Sequence, residues 1–239
     1  MNTVNCHIHA VSSLTANVYK VLLKADKNFD FTPGQYLNFV MSDEDKRPLS
    51  IASAPNAEYI ELQIGAFGAD SYAMKIIQRI IEAQVSNETV TVEMPLGGAG
   101  LVKESKRPLL LLAGGTGFSY IKSMFEYLAE TKSDREVLVY WGLRRESATY
   151  ELEKTAATIA SLTKSTFIPV VDSVSDEDGA NWQGRTGLVH KAAIEDIKNL
   201  GDYDIYLAGR FEMVGIVRTD FVEQGANPDH MYADAFAYI

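Results

Sequence analysis

Short runs in which apolar and polar residues alternate fill the first hundred positions of the chain, separated by turn-forming residues: NCHIHAV, VYKVLL, QYLNFVM, PLSIAS, YIELQIG and VTVEM. A period of two puts every second side chain on one face, so each run predicts a short β-strand. Strands of this kind with turns between them predict a small antiparallel barrel or sandwich. In the first run Val4, Cys6, Ile8 and Ala10 share one face and His7 and His9 the other, so Cys6 is expected inside and the histidines on a solvated face. One stretch breaks the pattern. DSYAMKIIQRIIEAQ spaces Ala73, Ile76, Ile77, Ile80 and Ile81 as a single apolar stripe on a helix, with Asp70 or Ser71 to cap it and free amides at its start.

After Leu101 the texture changes. KESKR is a charged connector, and beyond it strands and helices alternate: PLLLLAG with FSYIKSMFEYLAE, EVLVYWG with YELEKTAATIASL, TFIPVV with GLVHKAAIEDI, and DIYLAG with FEMVGIVRTDFVEQ. PLLLLAG is apolar throughout, as a strand covered on both faces must be. Serial βα units predict a parallel sheet with helices on both faces. The expected class is therefore two-domain, β followed by α/β, with an antiparallel β-barrel over residues 1–103 and a parallel-sheet nucleotide-binding α/β domain over 104–239.

Composition narrows the chemistry. With 46% hydrophobic residues in 239 the chain can bury two ordinary cores. A formal net charge of −10 gives no electrostatic reason to approach a nucleic-acid backbone. The N-terminal MNTVNCHIHAVSS lacks a basic segment followed by an apolar run, and no stretch is apolar over the length a membrane helix needs, so a cytoplasmic protein without a membrane partner is expected. The single cysteine, Cys6, cannot form an intramolecular disulfide or hold an iron–sulfur cluster, and no third ligand joins His7 and His9, so no metal is expected.

Gly114-Gly115-Thr116-Gly117 falls between an apolar strand and a helix. Glycines let the backbone turn sharply beside a ligand, and the helix start offers unpaired N–H groups to a pyrophosphate. The string is neither G-x-G-x-x-G nor a Walker motif, since no lysine follows Gly117, which argues against ATP hydrolysis. A second turn, Ala208-Gly209-Arg210-Phe211, follows the fourth strand, and both loops would line the carboxyl edge of the sheet. Arg144 and Arg145 follow the second strand at that edge, where they could meet phosphates or simply be solvated. In the first half Arg47-Pro48-Leu49-Ser50 enters a strand, joining an anion-binding group, a stiff approach and a hydroxyl that both donates and accepts.

The pieces TPGQYL, DKRPLSIAS, LLAGGTGFSYIKS, YWG, DIYLAGRFEM and DAFAYI, in that order, resemble the ferredoxin-NADP reductase superfamily and, more closely, its bacterial NAD(P)H:flavin oxidoreductases, the free-flavin reductases that include those of luminous bacteria. The resemblance spans essentially the whole chain. It implies a flavin-binding barrel followed by an NAD(P)H-binding domain, with the isoalloxazine between them. On matching positions it implies that Arg47, Pro48, Leu49 and Ser50 contact the flavin, with the Ser50 hydroxyl, the one catalytic candidate, near N5. Ile64, Gly65, Ala66 and Tyr72 would complete that pocket, while Gly114, Gly115, Thr116, Gly117 and Gly209, Arg210, Phe211 and Met213 would hold NADH or NADPH.

Two departures matter. Leu49 stands where many members carry an aromatic ring that stacks on the flavin, so riboflavin, FMN or FAD is expected to bind weakly, as a substrate. Ala208-Gly209-Arg210 replaces a Cys-Gly-Pro that would bring a thiol near the nicotinamide. Strand alternation at the end of the chain would put Phe236 and Tyr238 on one face. The expected activity is hydride transfer from NAD(P)H to a free flavin, with a flavin-consuming monooxygenase or luciferase as acceptor of the product. The competing readings are an electron-transfer or ferric reductase with bound flavin, and a non-catalytic NAD(P)H-binding module.

Overall fold

The computed structural model describes residues 2–27, 29–174 and 182–239. Each alternating run of the first half forms a strand: β1 (Asn2–Thr15), β2 (Val18–Ala25), β3 (Tyr36–Val40), β4 (Lys46–Ser50), β5 (Ile60–Gly65) and β6 (Thr89–Leu96). They pair antiparallel in the order β4-β3-β6-β1-β2-β5, and an Ile51–Leu62 bridge joins the two edges. That closure makes a barrel and removes the exposed strand edges an open sheet would leave. Val4, Cys6, Leu37, Phe39, Leu62 and Val92 fill its interior. His7 and His9 lie outside, and the His9 ring stacks on Tyr59 at 4.0 Å.

Helix α1 (Tyr72–Ser86) packs on the barrel through Ile76, Ile77, Ile80 and Ala83. Ile81, expected in the stripe, is 41% exposed. It follows Ile80 by one residue, which rotates it about 100° from the centre of the buried face, whereas Ala83 lies three on from Ile80. Ser71 caps the helix, its Oγ accepting from the Met74 N–H at 3.2 Å, so this helix start is partly satisfied from within.

The second half forms β7 (Leu109–Gly114), α2 (Phe118–Glu130), β8 (Val137–Leu143), α3 (Leu152–Ala160), β9 (Ser165–Val171), β10 (Arg185–Thr186), α4 (Val189–Asp196), β11 (Asp204–Ala208), α5 (Phe211–Glu223) and β12 (Met231–Tyr232). The sheet is parallel in the order β10-β9-β8-β7-β11-β12, extended beyond the four expected strands by two short edge strands. Leu109, Leu111 and Ala113 of β7 face α2 and α3, while Leu110 and Leu112 face α4 and α5. Both faces are covered, which is why PLLLLAG carries no polar residue. Because β8 and β11 flank β7 on opposite sides, the crevice at the carboxyl ends of β7 and β11 is a topological switch point.

The two halves meet along α2. The Ser123 hydroxyl donates to the Ser53 carbonyl at 2.7 Å and the Tyr120 hydroxyl to the Ala99 carbonyl at 2.5 Å. Beside them runs a buried ionic network: Lys122 pairs with Glu61 at 3.2 Å and Glu126 at 2.7 Å, and Lys20 with Glu151 at 2.7 Å. Gln63 completes it, its amide donating to Glu61 at 2.9 Å and Glu151 at 3.0 Å. Lys122 and Glu61 lie deepest, at 2% and 8% exposure, and each has a partner, as buried charges require, so the network ties the barrel to the sheet domain.

Candidate active site

The glycine loops form one wall of the crevice. Ala113 and Ala208 are register partners, so the turns after β7 and β11 leave the sheet side by side. They are too close for side chains: a Cβ on Gly117 would stand 2.7 Å from the Ala208 carbonyl carbon, and the Met213 side chain fills the space a Cβ would need at both Gly114 and Gly209. The Trp141 indole donates to the Gly115 carbonyl at 2.9 Å and stacks on Phe118 at 4.1 Å, anchoring the turn from β8. The start of α2 has no side-chain cap, and Gly115, at φ +56°, has nothing within 4 Å of where a Cβ would be. An uncapped helix start beside an open glycine suits a pyrophosphate, so these residues fit the nucleotide implied for them.

Arg144 and Arg145 are exposed just beyond Leu143, at the same edge, because Gly142 is the register partner of Gly114. Arg210 is the residue before α5, and its side chain and that of Phe211 are exposed.

The barrel supplies the facing wall. Ser50, at the end of β4, precedes Ile51, which bridges Leu62, so Ser50 stands abreast of Gln63, two residues before Gly65. Ile51 and Leu62 point into the barrel, which turns Ser50 and Gln63 outward, and the Gln63 amide reaches Glu151 of the second domain at 3.0 Å. Gly65 then meets the glycine loop directly: a Cβ there would stand 3.0 Å from Thr116 Cγ2 and 3.1 Å from Phe67 Cε2. Ile64 and Ala66 send their side chains into the barrel core, leaving only their backbone for a ligand. Leu49 is half-buried over the same core.

Arg47 and Tyr72 come together at the rim, with the guanidinium carbon 3.8 Å from the Tyr72 ring centre. Both are engaged by a residue that sequence reasoning passed over, Asp45, which accepts from Arg47 Nε at 2.9 Å and from the Tyr72 hydroxyl. Trp141 and Phe67 were missed as well. Trp141 sits in an ordinary strand pattern, and Phe67 is 66% exposed with its ring edge 3.1 Å from where a Cβ on Gly65 would stand.

The end of the chain corrects an expectation. Asp234–Ala237 is a tight 3₁₀ turn, not a strand, so Phe236 and Tyr238 do not share a face by alternation. Phe236 lies beneath Arg218 at 4.8 Å, while Tyr238 approaches Phe211 at 5.6 Å. The Asp234 carboxylate accepts from the amides of Gly98 at 3.1 Å and Ala99 at 3.3 Å, tying this segment to the barrel. Burial pushes the Tyr36 hydroxyl above its ordinary pKa, with Tyr238 and Asp234 adding to the effect, and Tyr36 is the register partner of Ser50. The segment therefore closes near the Ser50 end of the crevice.

Comparison with known proteins agrees with this architecture. Residues 111–219 match the oxidoreductase NAD-binding domain family. The chain is 38% identical over 240 residues to an NAD(P)H-flavin reductase of Vibrio harveyi, covering 99% of this chain and 100% of that one. It is 38% identical to an NAD(P)H-flavin reductase of Aliivibrio fischeri, covering 99% of each. Among solved structures, the ferredoxin reductase in carbazole 1,9a-dioxygenase superposes with a TM-score of 0.81 at 21% identity, over 98% of this chain and 69% of that one. The FAD/NAD-binding domain of a Vibrio cholerae nitric oxide dioxygenase does so with a TM-score of 0.76 at 19% identity, over 95% and 96%. With barrel, switch-point crevice and full-length likeness in agreement, the chain belongs to the NAD(P)H-flavin reductase family, oxidoreductases that use NAD(P)H and flavin.

Proposed function

We propose that the chain transfers a hydride from NADH or NADPH to N5 of a free flavin and releases the reduced product. The observation that carries this reading is the Gly65–Thr116 approach, which sets the strand beside Ser50 against the glycine loop. Nicotinamide and flavin supply the redox chemistry, so the protein's task is to align them and exclude misaligned pairs. In this reading the uncapped start of α2, Gly114 to Gly117, Gly209 to Met213, and Arg144 and Arg145 hold the nucleotide. Arg47, Pro48, Leu49, Ser50, Tyr72 and the backbone of Ile64 to Ala66 hold the flavin, and the Ser50 hydroxyl donates to N5. Residues 1–103 act as the flavin domain and 104–239 as the nucleotide domain.

Weak retention follows from Leu49, which offers no ring to stack. A flavin that leaves after reduction serves a downstream consumer, a flavin-dependent monooxygenase or luciferase, and we place this exchange in the cytoplasm. Among the described residues no helix is long and apolar enough to cross a membrane. The test is direct: mixing protein, NADH or NADPH, and riboflavin, FMN or FAD should deplete nicotinamide absorbance over many turnovers per protein. A protein that binds the nucleotide but leaves the absorbance unchanged is a sensor and not a reductase.

A further inference from the structure

The strand that meets the glycine loop carries an aromatic ring just past its end. Ile64 and Ala66 point into the barrel core, so Gln63, Gly65 and Phe67 alternate onto its outer face. The Ala66 N–H donates to the Asn17 carbonyl at 2.8 Å, which holds the chain against the neighbouring strand as far as that residue. Gly68, at φ +93°, then turns the backbone away, in a conformation that favours glycine. The Phe67 ring leans back along the strand, its Cε2 3.1 Å from where a Cβ on Gly65 would stand, beside Thr116.

That ring is 66% exposed. Phe211 and Tyr238, the other exposed Phe and Tyr rings among the described residues, lie against each other at 5.6 Å. Among the described residues no second ring and no cation packs on Phe67. Leaving a phenyl face to water is unfavourable, and this one stands where the two walls of the crevice meet, so a ligand in the crevice is what can cover it. Its place on the barrel says which ligand. Ser50 and Pro48 share the same outer face, because the Ile51–Leu62 bridge sets Ser50 abreast of Gln63 and Leu49 turns over the core. Gly65, over which the ring leans, lies about 7 Å along the strand from Gln63. A three-ring system with N5 at Ser50 is long enough to reach Phe67 from there, and its outer rings are flat π-surfaces. The nucleotide groups stand on the opposite wall.

We propose that Phe67 is a specificity-determining residue that packs against the isoalloxazine of the flavin and recognises the ring system, not the tail. This rests on Ser50 lying at flavin N5. Leu49 offers no ring, and Phe67 supplies one from a turn, where it can cover a flavin without enclosing it. Phe67→Ala should raise the KM for riboflavin about tenfold, the scale of losing one aromatic contact with its buried area. The KM for lumiflavin, which has the ring system without a ribityl tail, should rise by the same factor. kcat and the KM for the nicotinamide nucleotide should change little, and Phe67→Tyr should keep the wild-type KM for both flavins. The melting temperature should not move, because the ring is exposed in the free protein. A flavin KM unchanged in Phe67→Ala, a change confined to riboflavin, or a rise confined to the nucleotide overturns the proposal. If Phe67→Ala does not fold, Phe67→Gln, which keeps the length of the side chain without the ring, carries the same comparison with the same outcomes. Failure of the wild-type protein to reduce riboflavin with either nucleotide is the distinct outcome that defeats the parent reading.

Discussion

Thr116 Cγ2 stands 3.0 Å from the point where a side chain on Gly65 would begin. The barrel and the glycine loop approach so closely there that a methyl group on Gly65 would have to push Thr116 back by a few tenths of an ångström. Gly65→Ala should force Thr116 to shift and lower kcat/KM for flavin about tenfold, while thermal stability falls by roughly 1–3 kcal/mol, the usual range for overpacking. Steady-state kinetics beside a melting curve separates the two effects; unchanged kinetics would show that the wall spacing does not matter.

Ser50→Ala removes the hydroxyl assigned to flavin N5. A single well-placed donor to developing charge contributes about 10²-fold or more, so kcat at saturating substrates should drop by about that factor with little change in nicotinamide KM. A wild-type kcat in this variant would remove Ser50 from the chemistry.

Leu49 leaves the flavin without a stacking ring, so dialysed protein should be colourless or faintly yellow. Leu49→Tyr should tighten flavin by about 0.5–1.5 kcal/mol, the scale of an aromatic pair, read by quenching of flavin fluorescence in a titration. A wild-type protein that keeps stoichiometric flavin through dialysis contradicts this account.

The buried network ties stability to pH. Burial raises the Glu151 pKa, but the hydrogen bond and charge of Lys20, with Lys122 and Lys154, outweigh it, and the carboxyl ends below its ordinary 4.5. A depressed acid contributes stability that is present above 4.5 and lost as pH falls through the lower folded-state value. For Lys20 burial lowers the pKa, yet Glu151 and Glu61 leave it raised above 10.5, so its contribution is present below 10.5 and lost as pH rises through the folded-state value. Glu151→Ala should cost about 1–2 kcal/mol near neutrality, because Lys20 is left with Glu61 at 3.6 Å alone and Gln63 with one acceptor, and should flatten the acid limb in urea melts at several pH values. An acid limb as steep as in the wild type would show that other carboxyls govern it.

Cys6 is fully buried in the barrel, and burial, with the nearby charge of Asp26, pushes its thiol up to about 12. Thiolate is the reactive form, so a disulfide reagent at pH 8 should label the native protein only on the timescale of unfolding and rapidly in denaturant. Fast native labelling would mean that the barrel opens readily.

The sequence by itself determined the elements and their order, because period-two runs and an all-apolar β7 record which faces water reaches. It also located the GGTG turn, since a strand–glycine–helix junction is a local property, and it exposed Leu49 as a departure. Local pattern could not reveal Asp45 bridging Arg47 and Tyr72, Trp141 steadying Gly115, or the Lys20–Glu151 pairing, because partners 27, 26 and 131 residues apart meet only once the chain is folded. Ile81 and the Phe236–Tyr238 segment show the other limit: an apolar residue at the margin of a stripe, or a short terminal run, takes the conformation its neighbours leave room for. Tertiary structure decided how far apart the two walls of the crevice stand, because that spacing is set by side chains the two halves exchange across α2 and not by either half alone.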